Sequence, residues 1–318
     1  MRYVLRADAS KVLGAGHVMR SSAIAEELIA QGAEVVFVGE ISDLPWVEDR
    51  IIGLGFTEIC KDPLEFEPKS GSDVLILDSY EISIGDSFIA PINWLHVIAI
   101  VDEKTPNYLC DLRIHPGLDI TWVSDKTIPI IGGIKMIPFR SSLIRWKFTP
   151  IDNHHLIRIA VVAGGSDPYN LVYEIAKILC TFSEDFEALL FTNYSKFENL
   201  DSRFQFIQIG SHLDELTQNV DLVLTTSSTS CLEFIARGLC VGVICAIDNQ
   251  EQYYRSLGQL GAAAQIGFRN SDNAWELDKE KIHLLIKSQE QRRNLTLRAA
   301  GLIDFDGAKR IVKAITSL

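Results

Sequence analysis

The sequence predicts an α/β protein of two domains, each built around a doubly wound parallel sheet. The chain has 318 residues, which is enough for two domains of ~150 residues each. Short, uninterrupted apolar segments alternate with helical stretches along both halves of the chain. Uninterrupted segments are typical of parallel strands that are buried on both faces. Two such domains facing each other would form a cleft, which is a usual place for a ligand.

The first half of the chain predicts four strands and a helix. A strand over residues 3–6 leads into a glycine-containing loop and then into a helix over residues 18–31, which Gly32 ends. The apolar residues of this helix fall on one face, as in a helix that packs on a sheet. Three further apolar segments predict buried strands, over residues 35–38, 74–77 and 97–101.

The same pattern restarts after a basic and aromatic stretch at residues 139–148, which is closed by Pro150. We therefore assign residues 1–149 to an N-terminal domain and residues 150–318 to a C-terminal domain. Residues 307–318 have helical apolar spacing, so this last helix is a candidate to pack back on the N-terminal domain. Apolar segments of the C-terminal domain predict five strands, over residues 157–162, 188–191, 204–207, 222–224 and 241–244.

The charge balance argues against several classes of protein. The chain has 30 basic and 42 acidic residues and a net charge of −12, so it repels nucleic-acid backbones at long range. No apolar segment reaches the ~18 residues of a membrane helix, and charges come too early for a secretory leader. We therefore expect a cytoplasmic protein without nucleic-acid or integral membrane partners, with the oligomeric state open and a monomer favoured. The six cysteines have no CxxC spacing, which favours buried thiols over a metal site.

The loop after the first strand carries the most distinctive motif. Gly14 and Gly16 permit a tight turn and the close approach of a ligand to the backbone. His17 follows at the start of the helix, where the helix dipole disfavours a positive charge and keeps the imidazole able to accept a proton. His17 is therefore either a catalytic base or a simple helix cap. Asp8 either orients His17 or caps the loop, and Arg20 either pairs with a carboxylate or binds an anionic substrate.

Polar residues also follow two later strands of the first half. Asp78 and Tyr80 come directly after the strand at residues 74–77, and Asp102 comes after the next strand. Because the carboxyl ends of parallel strands meet at one edge of a sheet, we expect these side chains to face the same cleft as His17. The alternative for each carboxylate is that it caps a turn or a helix.

Two loops of the second half are suited to bind a phosphate group. The first contains Gly165 and Ser166 after the strand at residues 157–162, although tight turns also use glycines for structural reasons. The second is a run of six hydroxyl residues that includes Ser228 and Thr229 and leads into a helix over residues 231–237. Hydroxyl groups at a helix start either cap the helix or bind an anion.

Three further polar residues lie near these loops. Glu233, early in the helix after the hydroxyl run, either accepts hydrogen bonds from a ribose diol or only favours the helix dipole. Asn249 and Gln250 place amide groups after the strand at residues 241–244. The sequence has neither a GxGxxG fingerprint nor a GxxxxGKS/T motif, so neither a dinucleotide cofactor nor ATP-driven chemistry is expected.

Taken together, these motifs resemble a family of nucleotide-sugar hydrolases. Residues 6–10 (RADAS) and 14–20 (GAGHVMR) are similar to the UDP-2,4-diacetamido-2,4,6-trideoxy-β-L-altropyranose hydrolases of pseudaminic acid biosynthesis. That family is similar to the UDP-N-acetylglucosamine transferase of peptidoglycan synthesis. The resemblance spans nearly the whole chain and implies the GT-B fold, with two Rossmann-like doubly wound domains facing each other across a cleft. Further matches are Asp78-Ser79-Tyr80, Gly164-Gly165-Ser166-Asp167-Pro168, Glu233 with Gly238, Asn249-Gln250 and residues 303–310.

The resemblance also implies a mechanism and a set of site residues. His17 would activate a water molecule that attacks the anomeric carbon of the sugar, so that UDP leaves. The N-terminal domain would carry the catalytic and sugar-binding side and the C-terminal domain the nucleotide side, with a nucleotide-sugar as the partner and with neither a metal nor a cofactor. The implied catalytic residues are His17, Asp8 and Tyr80, and the implied substrate-binding residues are Gly14, Gly16, Arg20, Asp78, Gly165, Ser166, Ser228, Thr229, Glu233, Asn249 and Gln250.

Two departures from the family's pattern bear on the substrate. Family members usually carry a glycine pair where Ser227 and Ser228 stand, and the segments at residues 102–105 and 135–139 are also less typical. A related nucleotide-sugar is therefore a plausible substrate beside the named one. Two other functions stay open: a GT-B glycosyltransferase that passes a sugar from a UDP-sugar to an acceptor, and a non-catalytic nucleotide-sugar binding protein. The retained His17 weighs against the second of these.

Overall fold

The chain forms two compact units. The first unit comprises Met1–Ser142 and Asp304–Leu318, and the second unit comprises Leu143–Ile303. The predicted boundary at residues 149 and 150 lies outside the described part of the chain. The computed structural model describes residues 1–102, 105–118, 127–143, 156–165, 167–194, 197–210 and 212–318.

In the described part of the first unit, seven parallel strands form one sheet. In chain order the strands are β1 (Arg2–Ala7), β2 (Glu34–Val38), β3 (Glu58–Cys60), β4 (Asp73–Asp78), β5 (His96–Ile100), β6 (Leu112–His115) and β7 (Ile130–Gly132). The α-helices between the strands of this unit are α1 (Gly16–Ala30) and α2 (Pro45–Gly53). Their order across the sheet is β3-β2-β1-β4-β5-β6-β7. The strand order therefore reverses between β1 and β4, which is where α/β sheets usually bind ligands.

Both faces of this sheet are buried. On one face Leu5 of β1 lies in a core with Ile24 of α1. On the other face Val4 of β1 packs with Trp94, which comes from a loop between strands. Burial on both faces explains why the apolar segments are uninterrupted, because consecutive strand residues point to opposite faces.

The second unit repeats this strand order. Its described strands are β8 (Ile157–Val162), β9 (Phe186–Phe191), β10 (Phe204–Ile207), β11 (Leu222–Thr226), β12 (Val241–Cys245), β13 (Ala264–Arg269) and β14 (Trp275–Leu277), and its helices are α3 (Leu171–Cys180), α4 (Leu213–Leu216), α5 (Thr229–Ala236), α6 (Glu251–Gln259), α7 (Lys279–Lys287) and α8 (Gln289–Ala299). The order is β10-β9-β8-β11-β12-β13-β14, and β14 alone among these strands is antiparallel to its neighbour. Of the helices described, none is long and apolar enough to cross a lipid bilayer.

The predicted fold class is confirmed, and a strand is present at each predicted position. Helix α1 begins at Gly16 instead of residue 18, which places His17 in its first turn. Helix α5 begins at Thr229 instead of residue 231. Five of the described strands were missed. The strands β3, β7 and β14 have three residues each, too few to show a period. The strands β6 and β13 were missed because polar residues, and in β13 a glycine, interrupt their apolar segments.

Helix α9 (Gly307–Ile315) belongs to the first unit although it comes last in the chain. Its residues Ile311 and Ile315 join the same core as α1. The helix start lies so close to the backbone of Ile137 that a Cβ on Gly307 would be 2.0 Å from the Ile137 carbonyl oxygen. Glycine is therefore required at this position for α9 to pack as it does.

Replacing Ile311 by alanine should destabilise the first unit. Ile311 is fully buried, so the truncated side chain would leave a cavity and lower the free energy of unfolding by about 2–5 kcal/mol. Lys313→Ala, at an exposed position of the same helix, is the control and should change it by less than about 0.5 kcal/mol. Hydrogen–deuterium exchange along a denaturant titration measures the stability of the first unit separately. Equal effects of the two variants would contradict the packing of α9.

Candidate active site

A tight loop connects the end of β1 to the start of α1. The Gly14 N–H donates to the Ser10 carbonyl oxygen at 2.7 Å, and the Leu13 N–H donates to Ser10 Oγ at 3.0 Å. Gly14 has a φ of +83°, a conformation that favours glycine. The loop lets α1 begin at Gly16, near enough to the end of β4 for side chains of the two elements to meet.

The His17 imidazole lies against the Asp78 carboxylate. Nδ1 of His17 is 2.6 Å from Oδ1 of Asp78, and both side chains are buried. An ionised carboxylate can only accept hydrogen bonds, so we assign the ring hydrogen to Nδ1. Nε2 then keeps a lone pair and can accept a proton.

Two further side chains donate to Asp78. Arg20 binds it in a bidentate manner, with Nε 2.7 Å from Oδ2 and Nη2 2.5 Å from Oδ1, and Ser21 Oγ donates to Oδ2 at 2.8 Å. Burial by itself would raise the pKa of Asp78, but Arg20 and His17, through charge and hydrogen bonds, together outweigh it and hold that pKa well below its ordinary value. Burial would lower the pKa of Arg20, and Asp78 raises it above its ordinary value. The two side chains therefore form a charged pair.

This pairing bears on the expected roles of Arg20 and Asp78. Arg20 was expected either to pair with a carboxylate or to bind an anionic substrate, and in the structure it pairs with Asp78, because either charge alone would be costly to bury. Substrate binding by the two residues stays a prediction. His17, Arg20 and Ser21 reach the same carboxylate because residues three and four positions apart share a helix face. That spacing is visible in the sequence and could have indicated Ser21, which was missed.

Tyr80 lies on another side of His17. The two rings pack edge-on, with centroids 4.4 Å apart and an interplanar angle of 88°. The Tyr80 hydroxyl donates to Oδ2 of Asp102, which also lies 3.7 Å from Nη2 of Arg20. Burial, followed by the charge of Asp102, raises the pKa of Tyr80 above its ordinary value, so the phenol stays protonated and donates.

Asp8 lies apart from the His17 contacts described above. Its Oδ1 accepts from Nη1 of Arg6 at 2.5 Å and from the Glu40 N–H at 2.9 Å, and Ser79 Oγ lies 3.3 Å from its Oδ2. The interpretation in which Asp8 orients His17 is therefore corrected: Asp78 contacts the imidazole, and Asp8 holds the loop. Strand geometry gives the reason. Side chains along a strand alternate between the two faces of the sheet, and Asp8 and Asp78 extend from opposite faces.

In the second unit, the ends of β8 and β11 lie together where its strand order reverses. Thr226 Oγ1 lies 3.3 Å from the Ala163 carbonyl oxygen and 3.1 Å from Ser228 Oγ. Ser228 is the N-cap of α5, and its side chain makes no capping hydrogen bond. Thr229 is the first residue of that helix, and Glu233, also in α5, is half-buried.

Ser227 connects two turns of the second unit. Its buried hydroxyl lies 3.1 Å from the Gln250 carbonyl oxygen and 3.3 Å from the Ile244 carbonyl oxygen. Gln250 Oε1 accepts from the Ala246 N–H at 3.0 Å, and Asn249 is exposed on the same turn. Ser227 therefore tethers the β11–α5 turn to the β12–α6 turn.

The glycine loop after β8 leads to a helix start that is already capped. Asp167 accepts from the N–H groups of Leu171 at 2.8 Å and of Val172 at 3.1 Å. The carboxylate therefore occupies the α3 donors that an anion would use. Gly165 is half-buried in this loop, and Ser166 lies outside the described residues.

No protein-family model matches the chain, and no curated protein matches its sequence. Solved structures do match. That of Acinetobacter baumannii MurG has a TM-score of 0.63 at 12% identity and covers 100% of both chains. The glycotransferase of kitacinnamycin has a TM-score of 0.65 at 14% identity, over 99% of this chain and 98% of that one. The Streptomyces sp. SF2575 glycosyltransferase SsfS6, complexed with thymidine diphosphate, has a TM-score of 0.60 at 15% identity over 100% of both chains.

These similarities show that the chain has the GT-B fold, with two Rossmann-like domains. Among the described residues, no group of three or more His, Cys, Asp and Glu side chains is arranged to hold a metal ion.

Replacing Asp78 by asparagine should remove a pH-dependent part of the stability. The pKa of Asp78 in the folded protein lies below its ordinary value of 3.8, so the ion pair contributes fully above that pH and is lost progressively as the pH falls below it. At neutral pH the variant buries Arg20 without its carboxylate and should lose about 3–5 kcal/mol. Denaturant unfolding of both proteins across the pH range measures the difference.

The control for this experiment is Asp49→Asn, at an exposed position of α2. It should leave the pH dependence of stability unchanged. A difference between wild type and Asp78→Asn that stays constant from about pH 6 to about pH 3 would contradict the ionised pair.

Proposed function

We propose that the chain is a nucleotide-sugar hydrolase that acts on a UDP-linked diacetamido-trideoxy sugar or a related nucleotide-sugar. The observation that carries the proposal is the contact between His17 Nδ1 and a buried, ionised Asp78. A histidine held in this way has one nitrogen engaged as a donor and the other available as a base. The GT-B fold and the motifs at residues 6–10 and 14–20 support the substrate class.

In the proposed reaction, His17 Nε2 takes a proton from water while the water oxygen attacks the anomeric carbon. The bond between that carbon and the diphosphate oxygen breaks, and UDP leaves with the electron pair. The positive charge that His17 gains lies against Asp78, which stabilises it. Arg20 keeps Asp78 ionised, so both act through His17 and not on the sugar.

The start of α5 is the proposed diphosphate site. Ser228 makes no side-chain cap to the first N–H groups of the helix, and N–H groups at a helix start are suited to bind an anion. The start of α3 is less suited, because Asp167 already accepts from its donors. Backbone donors and hydroxyl groups allow a chain of net charge −12 to bind a diphosphate without an excess of basic residues. Glu233 would accept hydrogen bonds from the ribose.

A glycosyltransferase is the second candidate. The similarity to two solved glycosyltransferases, that of kitacinnamycin and SsfS6, favours it. The same His17 base would then take its proton from an acceptor hydroxyl instead of water. The two proposals share the leaving group and the nucleotide site, and they differ in the nucleophile.

Incubation with UDP-sugars in the absence of an acceptor should release UDP and free sugar in equal amounts. His17→Gln should lower this turnover by about 10²- to 10⁴-fold, because the general base is lost, while the affinity for UDP is retained. Release of UDP is followed by a coupled assay, free sugar by mass spectrometry and UDP binding by calorimetry.

The matched control is His96→Gln, at a partly exposed histidine of the same unit, which should turn over at the wild-type rate. Turnover only with an added acceptor would refute the hydrolase and favour the transferase. Tight binding with no turnover under either condition would favour a non-catalytic binding protein.

Replacing Ser228 by aspartate should separate helix capping from anion binding. Aspartate caps a helix about as well as serine and its charge suits the helix dipole, so the fold should be retained. The same charge would repel a diphosphate at the start of α5 and weaken UDP binding by roughly 10- to 100-fold. Ser228→Asn, which is neutral and has the same shape, is the control in calorimetry with UDP. Equal affinities of the two variants would place the diphosphate elsewhere.

A further inference from the structure

The two carboxylate oxygens of Asp102 have different partners. Oδ1 accepts from Thr105 Oγ1 at 3.2 Å, and the Asp102 N–H donates to that same hydroxyl at 2.9 Å. These contacts join Asp102, which follows β5, to Thr105. Oδ2 accepts from the Tyr80 hydroxyl and lies 3.7 Å from Nη2 of Arg20. Oδ1 therefore contacts Thr105, and Oδ2 contacts the residues around His17.

Tyr80 and Arg20 both contact the His17 ring. The Tyr80 ring packs edge-on against it, with centroids 4.4 Å apart. Nη2 of Arg20 donates to Oδ1 of Asp78 at 2.5 Å, and this is the oxygen that accepts from His17 Nδ1. Nη2 also lies 3.1 Å from Nδ1, but both nitrogens carry hydrogens, so Arg20 acts on the ring through Asp78. Asp102 is thus linked to the imidazole by two separate routes, one through Tyr80 and one through Arg20 and Asp78.

We infer that Asp102 is a positioning residue of this site, which holds the His17 imidazole in its orientation through Tyr80 and Arg20. Its carboxylate keeps the phenol against the edge of the imidazole, and its charge attracts the same Nη2 that binds Asp78. Without it, the largely buried phenol would lose its acceptor and turn toward water. The His17 ring would then be free to rotate away from Asp78. The inference rests on the proposed function only in taking His17 as the base.

A role confined to the contact with Thr105 makes the opposite prediction from a positioning role. If Asp102 only anchors Thr105, Thr105→Ala, which removes the hydroxyl next to Oδ1, should reproduce the effect of Asp102→Ala. If Asp102 positions His17, Tyr80→Phe, which removes the hydroxyl and keeps the ring, should reproduce it instead. Asp102→Ala is used because asparagine would keep an oxygen that accepts from Tyr80.

Nitrogen-15 NMR of the imidazoles in the ligand-free protein tests this inference, with the His17 signals identified by comparison with His17→Gln. The wild type should show one tautomer, with the hydrogen on Nδ1. Asp102→Ala and Tyr80→Phe should add the Nε2–H tautomer or shift both nitrogens toward an average, whereas Thr105→Ala should match the wild type. Thermal unfolding establishes that each variant is folded, and if Asp102→Ala is not, Tyr80→Phe and Thr105→Ala decide.

In the turnover assay, Asp102→Ala and Tyr80→Phe should lower kcat by about 10- to 100-fold, because the base is misplaced, with KM unchanged within about twofold and Thr105→Ala unaffected. A wild-type His17 tautomer in both Asp102→Ala and Tyr80→Phe, or the same change in Thr105→Ala, would overturn the inference. Because the NMR needs no substrate, a wild type that shows the expected spectrum without hydrolysis would refute the proposed function and leave the positioning role standing.

Discussion

The buried ion pair of Asp78 and Arg20 is the interaction on which the candidate active site depends. A carboxylate removed from water is costly unless a counter-charge and hydrogen bonds replace the water, and Arg20 with Ser21 supplies both. The pair keeps Asp78 ionised, so the carboxylate acts only as an acceptor toward His17. The tautomer of His17, and with it the nitrogen that can act as a base, follows from this one charge.

The two units place polar residues at equivalent points of one topology. In the first unit, Asp78 at the end of β4 meets the start of α1, which follows β1. In the second unit, Thr226 at the end of β11 lies near the backbone after β8. Strand order reverses at both points, so side chains from different connections come together there. A repeated topology thus accounts for motifs that recur after the first and fourth strands of each sheet.

Asp8 and Asp78 show how much of the site could be predicted. Both follow strands at the same edge of the sheet, and that shared edge follows from the sequence pattern alone. The side of the sheet that each faces depends on the register of its own strand. Asp8 lies beside Arg6, whereas Asp78 lies beside α1. A shift of one residue exchanges the faces, and apolar segments without alternation do not reveal the register.

The sequence by itself determined the α/β class, the positions of the strands with uninterrupted apolar segments and the place of His17 at a helix start, because apolar segments and glycine turns are local signals. Tertiary structure alone decided that Asp78 meets His17 across 61 positions of the chain and that the Asp102 carboxylate accepts from Tyr80. The physical reason is that these contacts depend on which strands are neighbours and on which face each side chain leaves the sheet. Both are set by packing of the whole unit and by burial of its charges.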